Sequence, residues 1–158
     1  MTIAPVVRAV TVKASPARAF ALFTANIERW WPQTHHIGAN PFTSVILEPH
    51  VGGRWFERDA GGVECLWGKV LAWDPPARLL LAWQINGKWE YDPAFLTELE
   101  LSFAPAEGGA TRVTLEHRDL ERFGADAPRI AALLEGGWPT IMADFVGYAD
   151  STQKETVR

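Results

Sequence analysis

Residues 136–150 read GGWPTIMADFVGYAD, and the apolar side chains among them recur at helical spacing. Trp138, Ile141, Met142, Phe145, Val146 and Ala149 stand at offsets 0, 3, 4, 7, 8 and 11, which draws one apolar stripe down a helix. A stripe of that size must pack on a surface of matching size. Just upstream, residues 127–134 predict a short helix that Gly136-Gly137 stops, and Pro139 fits the first turn of a new one.

The surface comes from the middle of the chain. Short β-rich runs at 45–48, 53–58, 63–73, 78–85, 97–103 and 111–117 are divided by glycine- and proline-rich turns such as Gly61-Gly62, Asp74-Pro75-Pro76, Asn86-Gly87 and Gly108-Gly109. Connections this short predict an antiparallel meander, because parallel strands need crossovers of a dozen or more residues. Alternation sets the faces: Leu79, Leu81, Trp83 and Ile85 share one side, as do Leu99, Leu101 and Phe103, and Val113, Leu115 and His117. One face is apolar and the other carries Glu98, Glu100, Arg112 and Glu116. At the N-terminus, residues 6–13 read as a first strand, Ser15-Pro16 as a helix N-cap with proline at the first helical position, and Trp30-Trp31-Pro32 as a helix end or a second short turn.

The chain is 158 residues long, 47% apolar and 22% charged, values that suit one globular core and exclude an intrinsically disordered chain. We read 1–150 as a single domain and 151–158 as a polar, frayed tail. No apolar run approaches the ~20 residues of a membrane span. The opening MTIAPVVRAVTVKAS lacks an export signal and the only cysteine is Cys65, so a cytoplasmic protein without disulfides is expected. A net charge of −4, with Arg112, Arg118 and Arg122 interleaved with Glu116, Asp119 and Glu121, argues against nucleic acid as a partner.

The order β-α-α, six further strands and a long C-terminal helix is that of an α+β helix-grip fold, a curved antiparallel sheet closed over the helix. Specific residues join the pattern: Glu28-Arg29-Trp30-Trp31-Pro32, Gly52-Gly53-Arg54-Trp55-Phe56-Glu57, Glu64-Cys65-Leu66-Trp67-Gly68-Lys69-Val70, Trp73-Asp74-Pro75-Pro76-Ala77-Arg78-Leu79, Leu115-Glu116-His117-Arg118 and Gly136-Gly137-Trp138-Pro139. In this order they resemble the bacterial branch of the SRPBCC (START-like) superfamily related to the activator of Hsp90 ATPase. That superfamily looks like a set of lipid carriers, hormone receptors, polyketide cyclases and co-chaperone domains, so the resemblance implies a scaffold more than a function. Eukaryotic co-chaperones of this kind carry a further N-terminal domain, and a Hsp90-type chaperone partner is therefore not expected.

Eight tryptophans are present, and such a set either fills a core or lines a cavity. Trp55, Trp67 and Trp83 on central strands and Trp138 on the closing helix are the ones expected to meet, with Met142 and Phe145 beside them, whereas Trp73 and Trp89 adjoin turns. The leading expectation is a cavity between sheet and helix for a small hydrophobic or aromatic ligand. Trp138 is expected to plug one end of the sheet.

Among polar residues, His35 and His36 follow the Trp-Trp-Pro run, and Glu57 shares the parity of Trp55 and so points inward. The facing of Glu64 stays open. If Glu57 and His117 approach each other they form an acid–base pair, the basis of an alternative reading as a cyclase, dehydratase or hydrolase. A structural pair leaves the same trace in sequence. A third reading is an interaction module, either chaperone-associated or a homodimer. His35, His36, Glu57, Glu64 and His117 stand at unrelated spacings, so neither a metal site nor a cofactor is expected. Cys65, mid-strand with no local base, reads as a small core residue.

Overall fold

The computed structural model describes residues 2–156, with side chains described through Thr152. Seven strands form one antiparallel sheet: β1 (Val6–Val12), β2 (Phe42–Leu47), β3 (Arg54–Asp59), β4 (Glu64–Asp74), β5 (Arg78–Trp83), β6 (Thr97–Pro105) and β7 (Thr111–Arg118). Their order is β1-β7-β6-β5-β4-β3-β2, so β2 to β7 form a meander and β1 returns to pair with β7. Two helices, α1 (Pro16–Thr24) and α2 (Ile27–Trp30), lie between β1 and β2, and α3 (Ala127–Thr156) follows β7. This is the expected α+β helix-grip architecture, a curled sheet gripping a long C-terminal helix.

Local chemistry accounts for the elements. The Ser15 hydroxyl accepts from the Arg18 amide at 3.3 Å and Pro16 occupies the first turn of α1, as the N-cap pattern requires. Along β5, β6 and β7 the alternation holds: Leu79, Leu81, Leu99, Leu101, Val113 and Leu115 are buried. The outer face of β5 to β7 is tied by ion pairs, Arg118 reaching Glu98, Glu100 and Glu116 and Arg78 reaching Glu100. On β3 the outer Phe56 is buried under Arg54 and Arg58, whose guanidinium carbons lie 4.4 and 5.5 Å from its ring centroid. Both arginines also pair with Glu64. Glu64 therefore belongs to the outer face.

The sequence reading is corrected at α3. Gly136, Gly137 and Pro139 do not divide two helices; one helix runs through them from Ala127 to Thr156. The physical reason is phase. Ala127, Ile130 and Leu134 continue into Trp138, Ile141, Met142, Phe145 and Ala149 at spacings of three and four, and all are buried, so a single helix buries both stripes at once. Pro139 donates no N–H to the Glu135 carbonyl, and that carbonyl accepts instead from Arg8 Nη2 of β1 at 3.3 Å. Further along, the Lys13 amide donates to Asp150 Oδ1 and Arg18 Nη2 to the Thr152 carbonyl. The segment read as a polar tail is helical as far as Thr156, with the Ser151 and Thr152 hydroxyls donating to the carbonyls of Tyr148 and Ala149. Residues 157–158 lie outside the described residues. No described helix is long and apolar enough to cross a membrane.

Candidate functional site

Between the inner face of the sheet and the first half of α3 lies a cavity of about 340 Å³. Trp31, Trp67, Trp83 and Trp138 form its wall, Ile37, Ile85, Leu134 and Ile141 add aliphatic surface, and Thr34, His35 and His36 edge it. Trp89 and Leu133, 40% and 49% exposed, also line it and form its lips. Residues 86–91 hold Trp89 there. The Asn86 side chain accepts from the Lys88 and Glu90 amides, Arg129 of α3 donates to the Gly87 carbonyl, and Trp89 itself sits at φ 61°.

The indoles meet edge to face or tilted. Ring centroids are 5.1 Å apart for Trp31 and Trp67, 6.1 Å for Trp31 and Trp138, and 5.8 Å for Trp83 and Trp138, within the usual range for aromatic pairs. Each of these four N–H groups donates to the protein itself. Trp31 donates to the His35 carbonyl, Trp67 to Glu57 Oε1, Trp83 to the Ile85 carbonyl and Trp138 to His117 Nδ1, at 2.8 to 3.2 Å. With their polar tips engaged, the indoles offer an occupant carbon surface.

Glu57 is buried, as parity with Trp55 requires, but it does not open into the cavity. Its carboxylate accepts from the amides of Ile37 and Gly38 at 2.7 and 3.2 Å, and from Trp67 Nε1 at 2.8 Å. A buried carboxylate with three donors is compensated. Its work is to pin the segment 31–38 onto the sheet. Gly38 fits that arrangement because a Cβ there would lie 2.9 Å from Glu57 Oε2 and 3.3 Å from Cys65 Sγ. Cys65 is only partly buried, and burial beside Glu57 and Asp59 pushes its thiol pKa up, which makes it a poor nucleophile.

His117 is fully buried, and Trp138 donates to its Nδ1. Nε2 must then carry the proton, and it donates to Thr97 Oγ1 at 2.8 Å. Burial pushes the imidazole pKa down from 6.5 to about 3, so the ring is neutral at pH 7. Glu57 and His117 make no hydrogen bond to each other, and both bind protein partners instead.

Of the residues expected around a cavity, Trp67, Trp83 and Trp138 line it. Trp55 stands behind Trp31, Trp67 and Trp83, its indole N–H buried without an acceptor, and Met142 and Phe145 belong to the packed core. Sequence reasoning missed Trp31 and the lip residue Leu133, and it set Trp89 aside as a turn residue. Pro32 was the available signal for Trp31: a residue before proline is driven from helical into extended backbone, and Trp31 adopts φ −65°, ψ 130°, leaving the axis of α2. Among the described residues no cluster of three or more metal-ligating side chains occurs.

Residues 13–150 match the family described as activator of Hsp90 ATPase homolog 1-like protein. Among solved structures, an anthrahydroquino-gamma-pyrone synthase, Txn09, complexed with SUM, is 38% identical with a TM-score of 0.66, the match covering 92% of this chain and 97% of that one. CalC from Micromonospora echinospora, described as a self-sacrificing resistance protein, is 32% identical with a TM-score of 0.67 over 94% and 96% of the two chains. The Aha1 dimer from Colwellia psychrerythraea shares 16% identity with a TM-score of 0.66 over 94% and 97%, a likeness of fold. No curated protein matches the chain.

Proposed function

The chain belongs to the activator of Hsp90 ATPase homolog 1-like family, and from that premise we propose that it binds a small, flat aromatic molecule in the cavity between sheet and α3. One observation carries the reading: four indoles turn carbon surface toward a cavity of about 340 Å³ while their N–H groups are engaged by the protein. That size lies at the lower end of small-molecule sites, roughly 300–1,000 Å³. The exposed Trp89 and Leu133 mark the entrance. The likeness to Txn09, whose name describes the synthesis of a fused aromatic pyrone, favours polycyclic aromatic ligands over lipids.

The experiment is a tryptophan-fluorescence titration with anthraquinone-2-sulfonate and with palmitate, paired with native mass spectrometry. Saturable quenching and a one-to-one complex with the quinone are expected. Quenching by neither compound, or by palmitate alone, would overturn the assignment.

A second reading, an enzyme of cyclase type, rests on the 38% identity to a synthase. Glu57 and His117 are poorly placed as its acid and base. Their lone pairs and protons are held by Ile37, Gly38, Trp67, Thr97 and Trp138, and a general base needs an atom within reach of the substrate proton. Chemistry in this cavity would fall to the residues at its edge.

A further inference from the structure

The polar edge of the cavity holds one group whose hydrogen-bonding sense is determined. His36 Nδ1 lies 2.9 Å from the Gly38 carbonyl oxygen. A carbonyl only accepts, so Nδ1 must carry the proton. In the neutral ring Nε2 is then a bare lone pair. The arrangement is held from behind: Glu57 accepts from the Ile37 and Gly38 amides, and its Oε2 stands 4.0 Å from His36 Nδ1. A carboxylate near Nδ1 favours the proton there, as in other sites where one ring nitrogen sets the role of the other. His36 is one of the residues lining the cavity, its ring lies edge-on to Phe42 with centroids 6.5 Å apart, and Nε2 makes no hydrogen bond with the described residues.

The neighbours differ. His35 Nδ1 faces the Thr34 hydroxyl at 3.0 Å, a partner able to donate or accept, so its tautomer is free to change. The wall indoles of Trp31, Trp67, Trp83 and Trp138 donate elsewhere.

We propose that His36 Nε2 is the hydrogen-bond acceptor of the cavity, and that it selects aromatic ligands carrying a hydroxyl over analogues without one. This rests on the aromatic-ligand reading and adds to it a chemical class, phenols and enolised aromatic ketones. His36 would touch the ligand directly, whereas Glu57 is a positioning residue acting through the segment 36–38. An oriented acceptor at an otherwise apolar wall discriminates, because a ligand lacking the O–H leaves that acceptor unpaired once water is displaced.

The test compares 2-naphthol with 2-methoxynaphthalene, which keeps the ring system and the oxygen but cannot donate, at about pH 8. The wild-type protein is expected to bind 2-naphthol about tenfold more tightly. In His36→Phe the two affinities should fall within about threefold of each other with 2-methoxynaphthalene binding retained, and in His35→Phe the preference should survive. A measurement that needs no folded variant runs alongside: in wild-type protein labelled with ¹⁵N-histidine, the signal of an unprotonated Nε2 should move when 2-naphthol is added and stay in place with 2-methoxynaphthalene. A preference that persists in His36→Phe, equal wild-type affinities, or a stationary Nε2 signal would overturn the role of His36 while leaving the cavity reading standing. Failure of both naphthalenes to bind the wild type would remove the cavity reading, and the acceptor with it.

Discussion

The two ends of the space between sheet and helices are both built from aromatic residues, yet one is filled and the other is open. Under α1, Phe20, Phe23, Trp30, Phe103 and Phe145 are buried to 4% exposure or less, and they pack edge to face or tilted with centroids 4.9 to 5.9 Å apart. At the other end, Trp31, Trp67, Trp83 and Trp138 are just as shielded but surround a cavity. Phenylalanine has no polar atom to satisfy and rotates into whatever gap its neighbours leave. A buried indole usually also places its N–H on an acceptor, and for the four wall rings those acceptors lie in the surrounding protein. Four rings tethered by their edges are held at the wall. Trp30 at the filled end is tethered as well, to the Leu22 carbonyl, so what sets the open end apart is that four tethered rings meet there with no phenylalanine in the lining to fill between them.

Alanine at one ring from each end is the sharpest way to break the comparison. Phe145, fully buried between Phe23 and Trp30, should cost about 3–5 kcal/mol when replaced by alanine, because transfer loss and a new void add. Ligand response, measured on whatever folded fraction remains, should be unchanged. Trp138→Ala should cost about 2 kcal/mol in packing, since one side of the ring faces the cavity and has fewer contacts to lose, and roughly 1–3 kcal/mol more because buried His117 Nδ1 loses its donor. It should also weaken quenching by anthraquinone-2-sulfonate. Ligand titration of the two variants decides it, with urea melts to establish the folded fraction, and a Trp138→Ala protein with intact ligand response would make the open end ordinary core.

Acid sharpens the same contrast, because only the open end has a buried imidazole beneath it. His117 has a folded-state pKa of about 3 against 6.5 in the unfolded chain. Between those values the unfolded chain takes up a proton that the native ring refuses, so the stability due to neutral His117 is complete above pH 6.5 and is lost as pH falls toward 3. The expected slope from this group is about 1.4 kcal/mol per pH unit in that window. Wild type and His117→Asn, melted in urea at about pH 7 and about pH 4.5, should differ in slope, the variant being less stable at neutrality but flatter in acid. Equal slopes would refute the assignment.

The smallest effect is at the lip. Trp89 holds a left-handed backbone conformation at φ 61°, which costs a side chain other than glycine roughly 1–2 kcal/mol. Trp89→Gly should leave thermal stability unchanged or raise it by up to about 1 kcal/mol. If Trp89 covers the entrance, the same variant should release anthraquinone-2-sulfonate faster in stopped-flow fluorescence. Lower stability with an unchanged off-rate would show a turn residue and nothing more.

The residues legible in advance were those whose structure is set by near neighbours. Leu99, Leu101 and Phe103 reveal their face by alternation, Ser15 and Pro16 start α1 by capping chemistry, and Trp138 to Ala149 mark the closing helix by period. Each of these rests on interactions within a few positions, so the strands, the order of the elements, the inner face of the sheet and hence the helix-grip fold could be read from local pattern alone. The continuity of α3 escaped because Gly136, Gly137 and Pro139 are local stop signals, outweighed by burial of a stripe in phase on both sides and by Arg8 at the Glu135 carbonyl. The site escaped for a related reason. Glu57 meets the Ile37 and Gly38 amides 20 and 19 positions away, and Trp138 meets His117 across 21, distances at which sequence spacing carries no geometry. Whether an inward Glu and an inward His meet each other or bind separate partners, and whether four indoles fill a gap or ring it, depends on where the curled sheet sets their backbones relative to loop 31–38 and α3, a matter of long-range packing that no local pattern encodes.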